Sequence, residues 1–415
     1  MPINPKILQV GKQLLSQLAA KIPATVFGIE KQKYIGFDIV GTLSNDHKLI
    51  LIKFMNSILL RMREVEASDV DLGGWASKSA VWFRIHGDKK PFKEFGAFTI
   101  DECSILIQSL VMESQRTELY ENRNLDFSYS FDVGNNGTVA RYRADAYLDL
   151  DSLALNMRAI NTQIRPYEGF GFDNHVTRIV SLAHTKEGLI LVTGITGSGK
   201  STTLDAIVDL NNRTVDAHII IIASPVEFVH ESKRCIIRHR EVGRDTQSFK
   251  KGTIEALRQD PDIIIIGEMR DPDTIISALE VVDSGHKVLS TLHTSSAVES
   301  VDRIIAEVPP VEQERVRSRL SDVLRCVISQ KLVPTRDGRR VLAKEVMVVT
   351  PSVRAAIKNN NINEIYQMIS EGSKVGMNTM EQDLKRLYLE RKIAIETAFS
   401  YANNKRRMQQ LIQPM

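Results

Sequence analysis

The sequence predicts an α/β protein built in parts: a smaller α+β domain over residues 46–165, a parallel sheet covered by helices over 171–350, an extension at 1–45 and a helical region at 351–415. Three observations predict it. Before residue 165, short alternating segments mix with helical ones around glycine turns. From about residue 171, apolar strands alternate with helical stretches, the pattern of a parallel sheet with helices on its faces. Between the two, Arg165-Pro166-Tyr167-Glu168-Gly169 interrupts both periodicities and reads as a hinge.

Within the extension, Leu14, Leu15, Leu18 and Ala19 are spaced for one face of a helix. A second helical pattern runs from about Ile52 to Val65. Asp69 to Asp71 and Ala80 to Ile85 then alternate like strands around Gly73-Gly74, and Asp126 to Phe131 and Thr138 to Leu148 do the same around the Asn135-Asn136-Gly137 turn. In the second half the strand candidates are Leu189 to Val192, His218 to Ile222, Ile263 to Ile266 and Val288 to Leu292. Beyond about Pro351 the chain reads as helical, and its basic tail, Lys405, Arg406 and Arg407, reads as a solvated helix end.

Composition narrows the function classes. A length of 415 residues suits two domains. The 43% apolar and 25% charged residues are those of an ordinary globular chain, which argues against disorder, collagen-like repeats and disulfide scaffolds. The 54 basic and 51 acidic residues nearly cancel, so no specific nucleic acid is expected as a partner. Cys103, Cys235 and Cys326 are odd in number and widely separated, which fits a reducing compartment and inert buried thiols. No signal peptide is visible, and no apolar run approaches the roughly 18 to 20 residues that span a bilayer. A cytoplasmic protein with, at most, peripheral membrane association is expected.

Chemistry concentrates after the first parallel strand. Gly194-Ile195-Thr196-Gly197-Ser198-Gly199-Lys200-Ser201 fits G-x-x-x-x-G-K-[ST], with a strand before it and a helical run through Leu210 after it. Its glycines let backbone N–H groups surround phosphate oxygens, and the helix N-terminus adds a favourable dipole. Lys200 is placed to reach the β- and γ-phosphates of a nucleotide and the Ser201 hydroxyl to ligate Mg²⁺, with Thr202 next in the first turn. Some sixty residues on, Ile263-Ile264-Ile265-Ile266-Gly267-Glu268 reads as a buried strand ending in a carboxylate that can serve the Mg²⁺ shell or orient water. ATP and Mg²⁺ are the implied cofactors.

Taken together, GITGSGKSTTL (194–204), SPVEFVH (224–230), REVGRDT (240–246), LRQDPDIIIIGEMRD (257–271), SGHKVLSTLHTSSA (284–297) and VGMNTMEQDL (375–384) resemble the type II/IV secretion ATPase superfamily, particularly its PilT-type and DotB/TraJ-type branches. That resemblance implies a PAS-like N-terminal domain, a RecA-like P-loop NTPase domain and a homohexameric ring with ATP held between the domains. It also implies inner-membrane secretion or pilus platform proteins as partners. By the same resemblance Glu227 takes a position that polarises the attacking water, and His286 and His293 match a histidine box near the nucleotide. Arg143 and Arg158 resemble the N-terminal-domain arginines that face the nucleotide and stabilise phosphoryl-transfer charge.

One departure stands out: Ala223-Ser224 occupy the place where the family usually has Glu-Asp before the proline. The chain also has too few cysteines for the zinc site common in the pilus-assembly and type II branches. The expectation is an ATPase motor for type IV secretion or conjugative-pilus dynamics. The alternatives are a type IV pilus retraction motor and a nucleotide-gated scaffold with little hydrolysis.

Overall fold

The computed structural model describes residues 5–75, 80–85, 88–134, 139–160 and 164–412. The Asn135-Asn136-Gly137 turn lies outside them. The chain divides into two compact units, Met1–Thr162 and Gln163–Met415.

The first unit opens with helices α1 (Pro5–Ala19), α2 (Gly28–Tyr34) and α3 (Asn45–Glu64). Ser44 starts α3 by accepting a hydrogen bond from His47 N at 3.3 Å, and Leu51, Phe54, Met55, Ile58, Leu59 and Met62 fall at helical spacing on its buried face. Strands β1 (Ala67–Gly73), β2 (Val81–Ile85) and β3 (Asp88–Phe92) follow, then α4 (Ile100–Gln108) and α5 (Glu113–Asn122). A capping box between Thr99 and Glu102 begins α4. Strands β4 (Asn124–Asp132), β5 (Val139–Asp149) and β6 (Ser152–Ala159) complete a six-stranded antiparallel sheet in the order β3-β2-β1-β6-β5-β4.

Period-two alternation divides this sheet into two faces. Val70, Leu72, Phe83, Leu125, Phe127, Ala144, Ala146, Leu155 and Met157 join the helices in one core. The other face is polar: Arg84, Asp69, Arg158 and Arg143 stand side by side on β2, β1, β6 and β5. The segment set apart as an extension is part of the same core, because Leu14, Leu15 and Leu18 of α1 are buried in it. Gly11 permits that approach, since a Cβ there would stand 2.5 Å from the Phe54 ring.

The second unit contains α6 (Asn174–Val180), β7 (Gly188–Thr193), α7 (Lys200–Thr214), β8 (His218–Ala223), β9 (Ile236–Glu241), α8 (Phe249–Ala256), β10 (Ile263–Ile266), α9 (Pro272–Asp283) and β11 (Lys287–Leu292). It continues with α10 (Ala297–Glu307), α11 (Pro310–Val323), β12 (Leu324–Pro334) and β13 (Arg340–Val348). The seven strands order as β13-β12-β7-β11-β10-β8-β9, parallel except for β13. Each central strand feeds two cores. Leu189, Leu191, Ile264 and Ile266 face one side, while Ile190, Val192, Ile263 and Ile265 face the other. That two-sided burial is why these strands read as unbroken apolar runs.

Helices α12 (Pro351–Lys358), α13 (Ile365–Glu371), α14 (Met380–Leu389), α15 (Ile395–Tyr401) and α16 (Lys405–Ile412) end the chain. They are not set apart from the sheet. Val353, Ile357, Ile365 and Ile369 enter the same core as β7 and β10, and Met380, Leu384, Leu387 and Met408 cover Val333 and Ala343 of the β12–β13 pair.

Candidate nucleotide site

The turn between β7 and α7 is shaped by glycines where other residues would not fit. Gly194 has φ +150°, and a Cβ there would lie 2.3 Å from Ser198 Oγ and 2.6 Å from the Gln330 carbonyl. Gly197 and Gly199 have φ of +79° and +92°, in the region that disfavours side chains. Helices α3, α4, α8, α9, α10, α12 and α14 each begin with a Ser, Thr or Asp side chain capping an N–H. Helix α7 begins at Gly199 with no side-chain cap. The N–H groups of Lys200, Ser201 and Thr202 therefore remain available to an anion. Ser198 Oγ is buried there without a hydrogen-bond partner, while Thr196 and Thr202 are exposed.

Lys200 Nζ donates to the Gly194 carbonyl at 2.8 Å and the Ile195 carbonyl at 3.3 Å. Burial pushes its ammonium below the ordinary lysine value, while the Glu268 and Glu227 carboxylates pull it back up. The base of the loop is fastened to β12: Thr193 Oγ1 and Ser329 Oγ lie 2.8 Å apart, and Gln330 Nε2 donates to Thr203 Oγ1 at 2.7 Å.

Parallel pairing brings the other predicted groups to the same rim. Strands β7, β8, β10 and β11 all end there, the edge at which ligands bind in open α/β sheets. Glu268 follows β10 and is also held by Arg270 Nε. His293 follows β11, its Nε2 lying 3.2 Å from Glu268 Oε1. Burial and the neighbouring Lys200 hold the imidazole below its usual value despite Glu268. Arg303 Nη1 fixes the His293 carbonyl at 3.2 Å. Glu227 lies exposed on the loop after β8.

Three expectations fare differently. His286 does not join this group. It precedes β11, so the whole strand, roughly 20 Å at about 3.3 Å per residue, separates it from the rim where His293 stands. Its Nδ1 lies 2.9 Å from Ser284 Oγ and 3.3 Å from the Val281 carbonyl. Arg143 and Arg158 are cross-strand neighbours in the first unit. Arg143 Nε donates to Asp126 at 3.2 Å and Arg158 Nε to Asp69 at 2.8 Å.

Sequence reasoning missed Arg270, Gln330 and Glu241. Arg270 lay within a quoted motif without being assigned. Glu241, buried on β9, accepts from Val226 N at 3.1 Å and so supplies a carboxylate beside Ala223-Ser224. Ser201 and Glu268 offer one hydroxyl and one carboxylate. Among the described residues no group of three or more His, Cys, Asp or Glu forms a metal cage. Such sparse ligation suits Mg²⁺, which keeps waters and takes phosphate oxygens from its substrate.

The family described as Type II/IV secretion system protein matches residues 44–395. A twitching motility protein of Neisseria gonorrhoeae is 39% identical over 352 residues, covering 84% of this chain and 91% of the relative. The type IV pilus retraction ATPase PilT of Pseudomonas aeruginosa is 41% identical over 293 residues, covering 71% of this chain and 83% of the relative. Among solved structures, the pilus retraction motor PilT with bound ADP superposes with a TM-score of 0.75 at 36% identity, over 85% of this chain and 98% of that one. The ATPase DotB of Legionella pneumophila gives 0.66 at 27% identity, over 83% and 94%. The fold is thus a smaller α+β domain followed by a RecA-like domain, and the chain belongs to the type II/IV secretion system protein family.

Proposed function

We propose that this chain is the ATP-hydrolysing subunit of a type IV pilus retraction motor, acting as a homohexamer against a platform protein at the cytoplasmic face of the inner membrane. The observation that carries the chemistry is the uncapped N-terminus of α7, ringed by Lys200, Glu268, His293 and Glu227. The names and identities of the two retraction-related relatives favour retraction over the expected secretion or conjugation role. Among the described residues no helix is long and apolar enough to cross a membrane.

In this reading the loop amides and Lys200 bind the phosphates, Lys200 exchanging the Gly194 and Ile195 carbonyls for phosphate oxygens. Ser201 and Glu268 would hold Mg²⁺, whose charge offsets that of the phosphates. Glu227 orients the attacking water, and His293 stands beside Glu268. Arg143 and Arg158 serve as charge-stabilising cations, and each must leave its carboxylate to do so.

Phosphate release by the purified assembly with Mg-ATP tests the reading. Lys200→Ala and Glu268→Gln are each expected to lower turnover by at least about 100-fold, the scale of losing a transition-state contact. A folded, assembled wild-type protein that releases no phosphate would leave the scaffold reading, which Ala223-Ser224 favours. Restored twitching in a pilated strain lacking its retraction motor is the expected result for the pilus assignment. Failure there by a protein active on ATP would return the assignment to secretion.

A further inference from the structure

Glu227 sits on a loop whose two ends are tied to one strand. Val226 N donates to Glu241 Oε2 at 3.1 Å, and His230 N donates to His239 Nε2 at 3.0 Å. Glu241 and His239 are two apart on β9, the edge strand of the sheet, and so project from the same face. The His230 side chain reaches α7, where its Nε2 lies 3.0 Å from Asp205 Oδ1. The ring is 4% exposed, stacks against His239 at 6.0 Å between centroids and meets Phe228 edge-on at 4.7 Å.

Proton placement follows from the partners. Asp205 accepts, so His230 carries its proton on Nε2. His239 accepts from an amide at Nε2, so that atom keeps its lone pair and the ring its proton on Nδ1. Further along α7, Asn212 is 1% exposed and reaches the same segment, donating to the Glu231 carbonyl at 2.8 Å and accepting from Lys233 N at 2.9 Å. The helix that begins at the phosphate loop therefore grips the Glu227 loop at two points, Asp205 and Asn212.

We infer that Asp205, His230 and His239 are positioning residues that lock the Glu227 loop to the phosphate-binding helix, so that the water-orienting carboxylate and the phosphate cradle keep a fixed separation. This rests on the ATPase reading for its consequence, but the brace itself is a statement about the chain. A one-ångström displacement of an orienting group costs rate while leaving nucleotide contacts intact. The brace should therefore govern kcat and not the KM for ATP.

The experiment pairs disruptive with conservative substitutions in the full-length protein. Asp205→Leu and His239→Leu remove the acceptors, whereas Asp205→Asn and His239→Gln keep one. The expected result is a fall in kcat of tenfold or more for the leucine variants, with KM within twofold, and activity within threefold of wild type for the conservative pair. Hydrogen exchange of residues 226–230 is expected to quicken about tenfold in the leucine variants only, a readout that needs no turnover. Should His239→Leu fail to fold, Asp205→Leu, at a partly exposed helix position, carries the test. Leucine variants with wild-type kcat, or unchanged exchange at 226–230, overturn the brace. A wild type without ATP turnover sinks the motor reading while the exchange measurement still decides the brace.

Discussion

Glu345 shows how a single buried residue couples to solvent conditions. It lies on β13 almost completely enclosed, accepting from Ala297 N at 2.8 Å and Met380 N at 3.4 Å. Burial, with Glu381 as a neighbouring negative charge, pushes it from the ordinary 4.5 up to about 7. The folded state then holds a proton that the unfolded chain has released between these values. Its stabilisation is complete below about pH 4.5 and is lost as pH rises through about 7. Glu345→Gln keeps an acceptor and removes the titration. Relative to wild type, the variant should gain on the order of 3 kcal/mol between pH 4.5 and 8, read as a growing difference in thermal midpoint. Parallel curves across that range would show that the carboxyl is ionised throughout.

Lys287 is the complementary case, a fully buried lysine whose Nζ donates to the carbonyls of Ile179, Ser181 and Thr185 at 2.6, 3.3 and 2.8 Å. Lys287→Met should destabilise the second unit by about 1–3 kcal/mol, because carbonyls at and just beyond the C-terminus of α6 lose their donor. Chemical denaturation followed by circular dichroism checks it.

Elements were legible where burial leaves a simple pattern. Ile263–Ile266 is apolar on both faces and read as a strand for that reason, as did the runs that became β7, β8 and β11. Leu324–Pro334 was not read as a strand. Its Ser329, Gln330 and Lys331 break the apolar run, yet each is hydrogen-bonded to a distant partner: Thr193, Thr203 and the Tyr401 carbonyl. Tertiary hydrogen bonds of that kind leave no local signal. Likewise Leu14, Leu15 and Leu18 disclosed a helix but not the core it enters. The α1–α3 contact makes a prediction at this scale: Gly11→Ala should cost about 1–3 kcal/mol by overpacking against Phe54. A urea midpoint equal to wild type would mean that Phe54 yields freely.

For the molecule as a whole, the phosphate loop and the carboxylate after β10 were readable because backbone chemistry constrains both spacings. His286 and His293 share a motif spacing, while β11 between them holds them at opposite ends of one strand. The choice between retraction and secretion was not readable, since it depends on partners rather than on the phosphate site. Arg143 and Arg158 belong to this scale. Replacing either with Ala should lower turnover by about tenfold or more while nucleotide affinity, followed by titration with a fluorescent ATP analogue, changes little. Equal losses in affinity and rate would reassign them to binding.

The terminal helices close over Val333 and Ala343, and α12 and α13 supply part of the core beneath β7 and β10. A fragment cut at residue 350, just past the last strand, would leave two oily patches bare on one face of the sheet. Limited proteolysis should accordingly spare everything from β7 to α16 as one resistant piece, and any minimal catalytic fragment has to run to about residue 412.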